Sequence, residues 1–350
     1  MYVTRLARRQ MEASGDADAL RARGPGSPGS ALLSPDADTA GIVGAAGARH
    51  RGGMRHRMRH LLLAAALLPA CTRTRSPAAP PPVRAGVEAV NGTTLAYELR
   101  GRPGDGRPAV VLVHGGGFDR RLWDAQAESF DDDFTVLRYD ARGFGGSGRA
   151  DADSFAHHED LAALLARLGL TRVSVVGQSL GGRIAVDLAL THPGLVERLV
   201  LVGPGLSGWP WARADFGPWA ADFSAALRAG DTTRAVDAWL ASDYMRSAAA
   251  RPELRDRLRR LARENARAWF EQTKERELAP PAVGRLRELR VPVLLVLGST
   301  DERPIHRIVD SLAAAVPAAR RLLFEGAGHA PNLEEPDRFN REVLAFLRGR

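Results

Sequence analysis

Residues 173–183 read Val-Ser-Val-Val-Gly-Gln-Ser-Leu-Gly-Gly-Arg, and this stretch decides the fold. Val173–Val176, three valines around Ser174, is a short, mostly apolar run of the kind a buried strand uses. Gly177-Gln178-Ser179-Leu180-Gly181-Gly182 is a G-x-S-x-G turn, and from Arg183 the spacing becomes helical, with Ile184–Leu190 apolar. Strand, sharp turn and helix hold a serine in a strained backbone conformation with its hydroxyl projecting. The flanking Gly177 and Gly181 remove side chains that would collide in so tight a turn. Ser179 is therefore the candidate nucleophile.

Outward from the turn, the chain alternates two periods. Val87–Val90 and Thr94–Leu99 flank Asn91-Gly92, a hairpin signal. Ala109–Val113, Phe134–Tyr139, Leu199–Val202, Val293–Leu297 and Arg321–Phe324 read as further strands. Helical stripes lie between them at Asp160–Leu168, Ile184–Leu190 and Val309–Val316, and Arg338–Leu347 closes the chain. Strand and helix in repetition imply an α/β fold: a mostly parallel sheet of eight strands, helices on both faces, and an antiparallel hairpin at one edge. Ser207–Arg290 breaks the rhythm with helical text only (Phe223–Arg228, Val236–Ala241, Leu254–Trp269) and is too long for a connection. It reads as a helical cap inserted after strand 6, at about 207–290.

A serine needs a base, and the base an acceptor to orient it. His329 lies in Gly326-Ala327-Gly328-His329-Ala330-Pro331, after the last predicted strand, where an imidazole can reach across the sheet. Asp301 follows Gly298-Ser299-Thr300 at the carboxyl end of the strand before it, with Glu302 as the neighbouring rival. His157, His158, His192 and His306 open, end or lie within helices and read as solvated or structural. An oxyanion requires two donors. The N–H of Leu180, at a helix N-terminus, is one, and the second is expected from the loop His114-Gly115-Gly116-Gly117-Phe118 after the third strand.

With these motifs in place, residues from about 84 to 350 resemble the α/β-hydrolase superfamily in its capped form. The chain order Ser179, Asp301, His329 is that superfamily's order, and Asp140-Ala141-Arg142-Gly143-Phe144-Gly145-Gly146-Ser147 matches the loop its members carry after the fourth strand. The resemblance implies that Gly116 gives the second oxyanion donor, with Gly115 as rival, and that His114, Asp140 and Arg142 are structural. The H-G-G-G loop is similar to that of hormone-sensitive-lipase-like esterases, but Gln178 and Leu180 depart from their G-D-S-A-G turn.

A serine at position 179 implies hydrolysis of a small-molecule ester, lactone or thioester through an acyl-enzyme. Meta-cleavage-type C–C bond hydrolases and cofactor-free perhydrolases resemble this chain too, and a surface binding protein without turnover is the alternative from another class. Its mark would be a broken triad. Trp209, Trp211, Phe216, Trp219 and Phe223 crowd the start of the cap, to pack it on the core or to line an acyl or aromatic pocket. Arg255, Arg257, Arg259, Arg260 and Arg263, interleaved with Glu253, Asp256 and Glu264, read as a solvated helix face. No motif calls for a metal, nucleotide or flavin cofactor.

The remaining text is the leader. The 350 residues carry a net charge of +8, but the first 75 hold twelve Arg against five acids, leaving +1 for the rest. A broad basic face for nucleic acid is therefore not implied. Residues 1–53, rich in Ala, Gly, Ser, Pro and Asp, read as disordered or as an extension from a misassigned start. Residues 54–71 read as a signal peptide: Arg55, Arg57 and Arg59 form a positive start, and Leu61–Leu68 is an apolar run too short for the ~20 residues a bilayer requires. His50, His56 and His60 fall in or beside that positive segment, which argues against metal binding. Leu68-Pro69-Ala70-Cys71 resembles a bacterial lipobox, which implies that Cys71 is lipidated and anchors the protein to the cell envelope. An ordinary cleaved signal, or an unprocessed tail on a cytoplasmic protein, is the alternative. Residues 72–83, with Pro77, Pro80, Pro81 and Pro82, suit an extended tether. The single cysteine excludes a disulfide framework.

Overall fold

The computed structural model describes residues 82–349 apart from 152, 272 and 273. The readings placed on residues 1–81, Cys71 included, lie outside the described residues.

Eight strands form one sheet: β1 (Val83–Val90), β2 (Thr93–Arg100), β3 (Ala109–Val113), β4 (Thr135–Tyr139), β5 (Val173–Gln178), β6 (Val196–Val202), β7 (Val293–Gly298) and β8 (Arg320–Phe324). The α-helices among the described residues are α1 (Asp124–Phe130), α2 (His157–Arg167), α3 (Leu180–Thr191), α4 (Trp219–Ala229), α5 (Thr232–Leu240), α6 (Arg246–Ala249), α7 (Pro252–Asn265), α8 (Arg267–Phe270), α9 (Arg303–Ala315), α10 (Pro331–Glu334) and α11 (Pro336–Leu347). The strand order is β1-β2-β4-β3-β5-β6-β7-β8, antiparallel at the β1–β2–β4 edge and parallel from β4 to β8.

The hairpin turns where Asn91 and Gly92 both adopt positive φ (45° and 73°), as a two-residue turn matched to strand twist demands. Strand β1 starts at Val83, opposite Arg100, so the expected tether yields its last residue to the sheet. In β3 the period of two is explicit. Val111 and Val113 pack with Leu161 of α2 and Ile184 of α3, while Val110 and Leu112 pack with Phe130 of α1 and Phe339 of α11. Two apolar layers thus sandwich the sheet.

Between β6 and β7 the chain runs through α4–α8, the helical segment expected after strand 6, and among its described residues an isolated bridge pairs Glu275 with Phe155. Its expected helix over Leu254–Trp269 is divided at Ala266. Asn265 explains the break: its side chain donates to Asp119 (2.8 Å) and accepts from the N–H of Gly145 (2.8 Å), which fixes the helix end against the core. The arginine face of α7 is solvated as expected at Arg255, Arg259, Arg260 and Arg263, which are exposed, while Arg257 is half-buried. Arg257 pairs with Asp124 at 3.0 Å and Arg259 with Asp237 at 3.0 Å, tying the helix to α1 and α5.

Helix α3 also begins earlier than the expected Arg183. Gly181 and Gly182 belong to the helix because of close approach, not turn-making: a Cβ on Gly181 would collide with the Val113 carbonyl, and one on Gly182 would lie 2.7 Å from Pro204.

Candidate active site

The strand order reverses between β3 and β5, and ligands of open α/β sheets bind at the carboxyl ends of such neighbours. Val113 at the end of β3 faces Gly177, so the loop after β3 passes directly beside the turn after β5. There Ser179 has φ +53° and ψ −109°, a conformation L residues rarely adopt. It is over-determined: the Ser179 N–H donates to the Val202 carbonyl (2.9 Å), and the Ser179 carbonyl accepts from Arg183 (3.1 Å) and Gly205 (2.9 Å). A Cβ on Gly177 would strike the Gly181 backbone, which gives the spacing of the two glycines its steric reason.

His329 and Asp301 come together from the loops after β8 and β7. The Nδ1–H of His329 donates to Asp301 Oδ2 at 2.8 Å and lies 3.0 Å from Oδ1. An ionised carboxylate only accepts, so the proton sits on Nδ1 and Nε2 is left as a lone-pair nitrogen. The Asp301 side chain is fully buried, and its Oδ1 also accepts the Glu302 N–H at 2.7 Å. Both His329 and Ser179 line one cavity, together with Gly116 and Leu180.

Four residues around this pair were not singled out by sequence. Gln178, inside the turn, donates through Nε2 to the His329 carbonyl at 3.0 Å, joining the serine turn to the histidine loop. Gly203, at the end of β6, has φ +47°, and a Cβ there would lie 2.9 Å from both Asp301 Oδ2 and His329 Nδ1. Glu334 is buried, accepts the Gly328 N–H (3.0 Å) and is bonded by Ser247 Oγ from the cap (2.5 Å). Tyr244, also from the cap, sets its ring edge-on to His329 with centroids 4.8 Å apart. Only Gln178 had a local signal, its place in the motif.

Glu302, the rival to Asp301, does not touch His329. It is buried beside Trp219, Tyr244, Asp243 and Asp301 without a well-formed hydrogen bond, and its carboxyl is pushed up to about 8 by burial and then by the charges of Asp301 and Asp243. His114 is a structural post: the Ala141 N–H donates to its Nε2 (3.0 Å) and its Nδ1–H donates to the Gly115 carbonyl (2.9 Å). Burial lowers its pKa. Asp140 accepts from the backbone N–H groups of Arg120 (2.9 Å) and Gly146 (2.8 Å), and Arg142 makes a buried pair with Asp160 at 2.8 Å. His157 is buried, which lowers it to about 4; His158 is buried too, and His192 pairs with Glu159 at 3.1 Å.

Of the cap aromatics, Trp211, Phe216, Trp219 and Phe223 line the cavity, whereas Trp209 packs against the core without lining it. The site so built offers an acceptor-oriented imidazole, a strained serine and unspent N–H groups at one helix end. Leu180 is the first residue of α3, where an N–H has no partner within the helix.

A model of the alpha/beta hydrolase family matches residues 110–342, from β3 to α11. The chain belongs to the alpha/beta hydrolase family. It is an enzyme of the hydrolase class. Among its relatives in this family is a protein of Agrobacterium fabrum named "Putative carbamate hydrolase RutD", 30% identical over 268 residues, covering 72% of this chain and 98% of the relative. The pimeloyl-[acyl-carrier protein] methyl ester esterase of Nitrosomonas europaea is 30% identical over 252 residues, covering 66% and 92%. The crystal structure of a hydrolase from Pseudomonas aeruginosa superimposes with a TM-score of 0.62 at 30% identity, covering 75% of this chain and 98% of that one.

Proposed function

We propose that this alpha/beta hydrolase is a serine hydrolase that cleaves a small-molecule ester, lactone or thioester through an acyl-enzyme on Ser179. The observation that carries the reading is the Asp301–His329 pair at 2.8 Å, which places the proton on Nδ1 and leaves Nε2 basic in the cavity that Ser179 lines. The ester hydrolase among the relatives supports the same class.

In the reaction, Ser179 Oγ attacks the substrate carbonyl while its proton passes to His329 Nε2. Asp301 stabilises the imidazolium that results. The tetrahedral oxyanion is held by the N–H groups of Leu180 and Gly116, each worth roughly 100- to 1000-fold in rate. Gly116 rather than Gly115 takes this role because Gly116 lines the cavity, while Gly115 is packed on Gln178 so closely that a Cβ would collide with Oε1. The C–O bond (C–S in a thioester) then breaks, and the leaving alkoxide or thiolate takes the proton from Nε2. Water attacks the acyl-enzyme, gives a proton to Nε2, and that proton returns to Ser179 Oγ as the acid departs.

Hydrolysis of p-nitrophenyl acetate and butyrate tests the reading. Wild type is expected to turn both over, and Asp301→Asn to lose about 10⁴-fold in kcat through the wrong imidazole tautomer. Equal rates in the two proteins would remove Asp301 from the mechanism.

A further inference from the structure

We infer that the substrate is an ester carrying one ring-sized apolar group, held against a locked aromatic wall, and that carboxylate-bearing substrates are turned away because the arginine of the cavity is already engaged by a buried acid. This rests on the serine-hydrolase reading and adds the substrate class.

The size comes from the cavity, about 140 Å³. A cavity of about 150 Å³ with apolar walls holds benzene. The shape comes from how the wall is locked. Phe118, Trp219, Phe223, Trp239 and Trp269 all line the cavity and touch one another in sequence: Phe118–Trp239 at 5.3 Å, Trp239–Trp269 at 5.6 Å, Phe223–Trp269 at 5.2 Å and Trp219–Phe223 at 6.0 Å. Three of the four contacts are edge-to-face, the geometry aromatic quadrupoles favour. The wall is also seated on the loop after β3, because a Cβ on Gly117 would lie 3.1 Å from Trp239 and 3.2 Å from Trp269. Widening the cavity for a long alkyl chain would break this whole chain of contacts, whereas one ring fits it unchanged.

The charge preference comes from Arg183. It lines the cavity one turn beyond Ser179 and is the cation a carboxylate would need. Its guanidinium donates to Glu275 at 2.5 Å, with the two side chains only 14% and 2% exposed. Glu277 lines the same cavity. A substrate carboxylate would have to displace that buried partner.

The test uses the full chain and two ester series followed by pH-stat, so that no aromatic leaving group occupies the wall by default. One varies the acyl side as methyl esters (hexanoate, phenylacetate, decanoate), the other the alcohol side as acetates (hexyl, benzyl, decyl). Each ring member is also made with a para carboxylate group. In at least one series the neutral ring ester is expected to exceed the ten-carbon and carboxylate members by about tenfold or more in kcat/KM, the discrimination a shaped apolar pocket gives. Glu275→Gln is expected to release Arg183 and raise the carboxylate analogue relative to its parent by about tenfold. Phe216→Ala is expected to move the optimum toward the longer chain. A long-chain optimum in both series of wild type, a flat profile, or a carboxylate analogue that matches the neutral one overturns the inference. Labelling of Ser179 by a fluorophosphonate probe, run on the same sample, separates the two levels. A labelled enzyme without ring preference defeats only the substrate class. Absence of both labelling and turnover defeats the serine-hydrolase reading and this inference with it.

Discussion

Glu302 sits one residue from the acceptor of His329 and behaves as its opposite: Asp301 is an oriented carboxylate, Glu302 a carboxyl that burial holds toward its protonated form, at about 8 against an ordinary 4.5. A group whose folded pKa stands above its unfolded one stabilises the fold fully below the unfolded value, and that contribution is lost as pH rises through the folded value. The window here is therefore about pH 4.5 to 8. Glu302→Gln, which cannot ionise, is expected to match wild type in thermal unfolding at pH 4 and to exceed it at pH 9 by on the order of 2 kcal/mol, or several degrees. An equal melting temperature at pH 9 would show that the carboxyl ionises without cost. Gly203→Ala is expected to act differently. A Cβ 2.9 Å from both Asp301 and His329, on a φ of +47°, forces the pair apart. The expected loss is about 100-fold or more in kcat on p-nitrophenyl butyrate, with the far-UV spectrum unchanged. Ser179, Asp301 and His329 were legible in the sequence because each follows a strand and stands in or beside a glycine-bearing turn, which is local text. Gln178, Gly203 and Glu334 were not legible as partners, since their roles are contacts across the fold. Gln178 and the carbonyl it binds are 151 residues apart.

Among elements, the strands were the clearest, since a strand covered on both faces is mostly apolar: β3 is apolar at every position, and β4, also buried throughout, departs only at Thr135 and at Arg138, which is paired with Glu98. Helix starts were less clear. The glycines that ordinarily end helices lie inside α3 because neighbouring backbone leaves no room for a Cβ. Least legible was how the cap attaches, for a charged helix reads as solvated until its partners are known. Arg267 shows the difference. From α8 it donates to the carbonyls of Gly143 (3.2 Å), Gly145 (3.2 Å) and Ser147 (2.6 Å), closing the cap over the loop after β4. Charge-assisted hydrogen bonds contribute about 1.5–3 kcal/mol each at most. Arg267→Met is expected to loosen the cap while leaving the sheet intact: faster limited proteolysis within 207–290 and a severalfold rise in KM, with kcat changed less. Unchanged proteolysis would show that the cap is held elsewhere.

On the scale of the molecule, charge and chemistry separate along the chain. Twelve of the arginines and most of the net charge precede residue 76, while the family match covers 110–342. No helix among the described residues is long and apolar enough to cross a membrane. We propose that the leader supplies the address, with Cys71 as a lipid anchor and Thr72–Pro82 as its tether. What supports this is the positive start, the short apolar run and Leu68-Pro69-Ala70-Cys71. Radioactive palmitate fed to expressing bacteria is expected to label wild type and not Cys71→Ser; equal label in both would sink the anchor. The catalytic claim is independent of that address. Its most direct measurement is the intact mass of the purified protein after exposure to a fluorophosphonate probe, with peptide mapping of the adduct. A single stoichiometric adduct on Ser179, lost in Ser179→Ala and strongly slowed in His329→Gln, is the expected result. A well-folded protein that takes no adduct, or one that takes it equally after Ser179→Ala, would contradict the account.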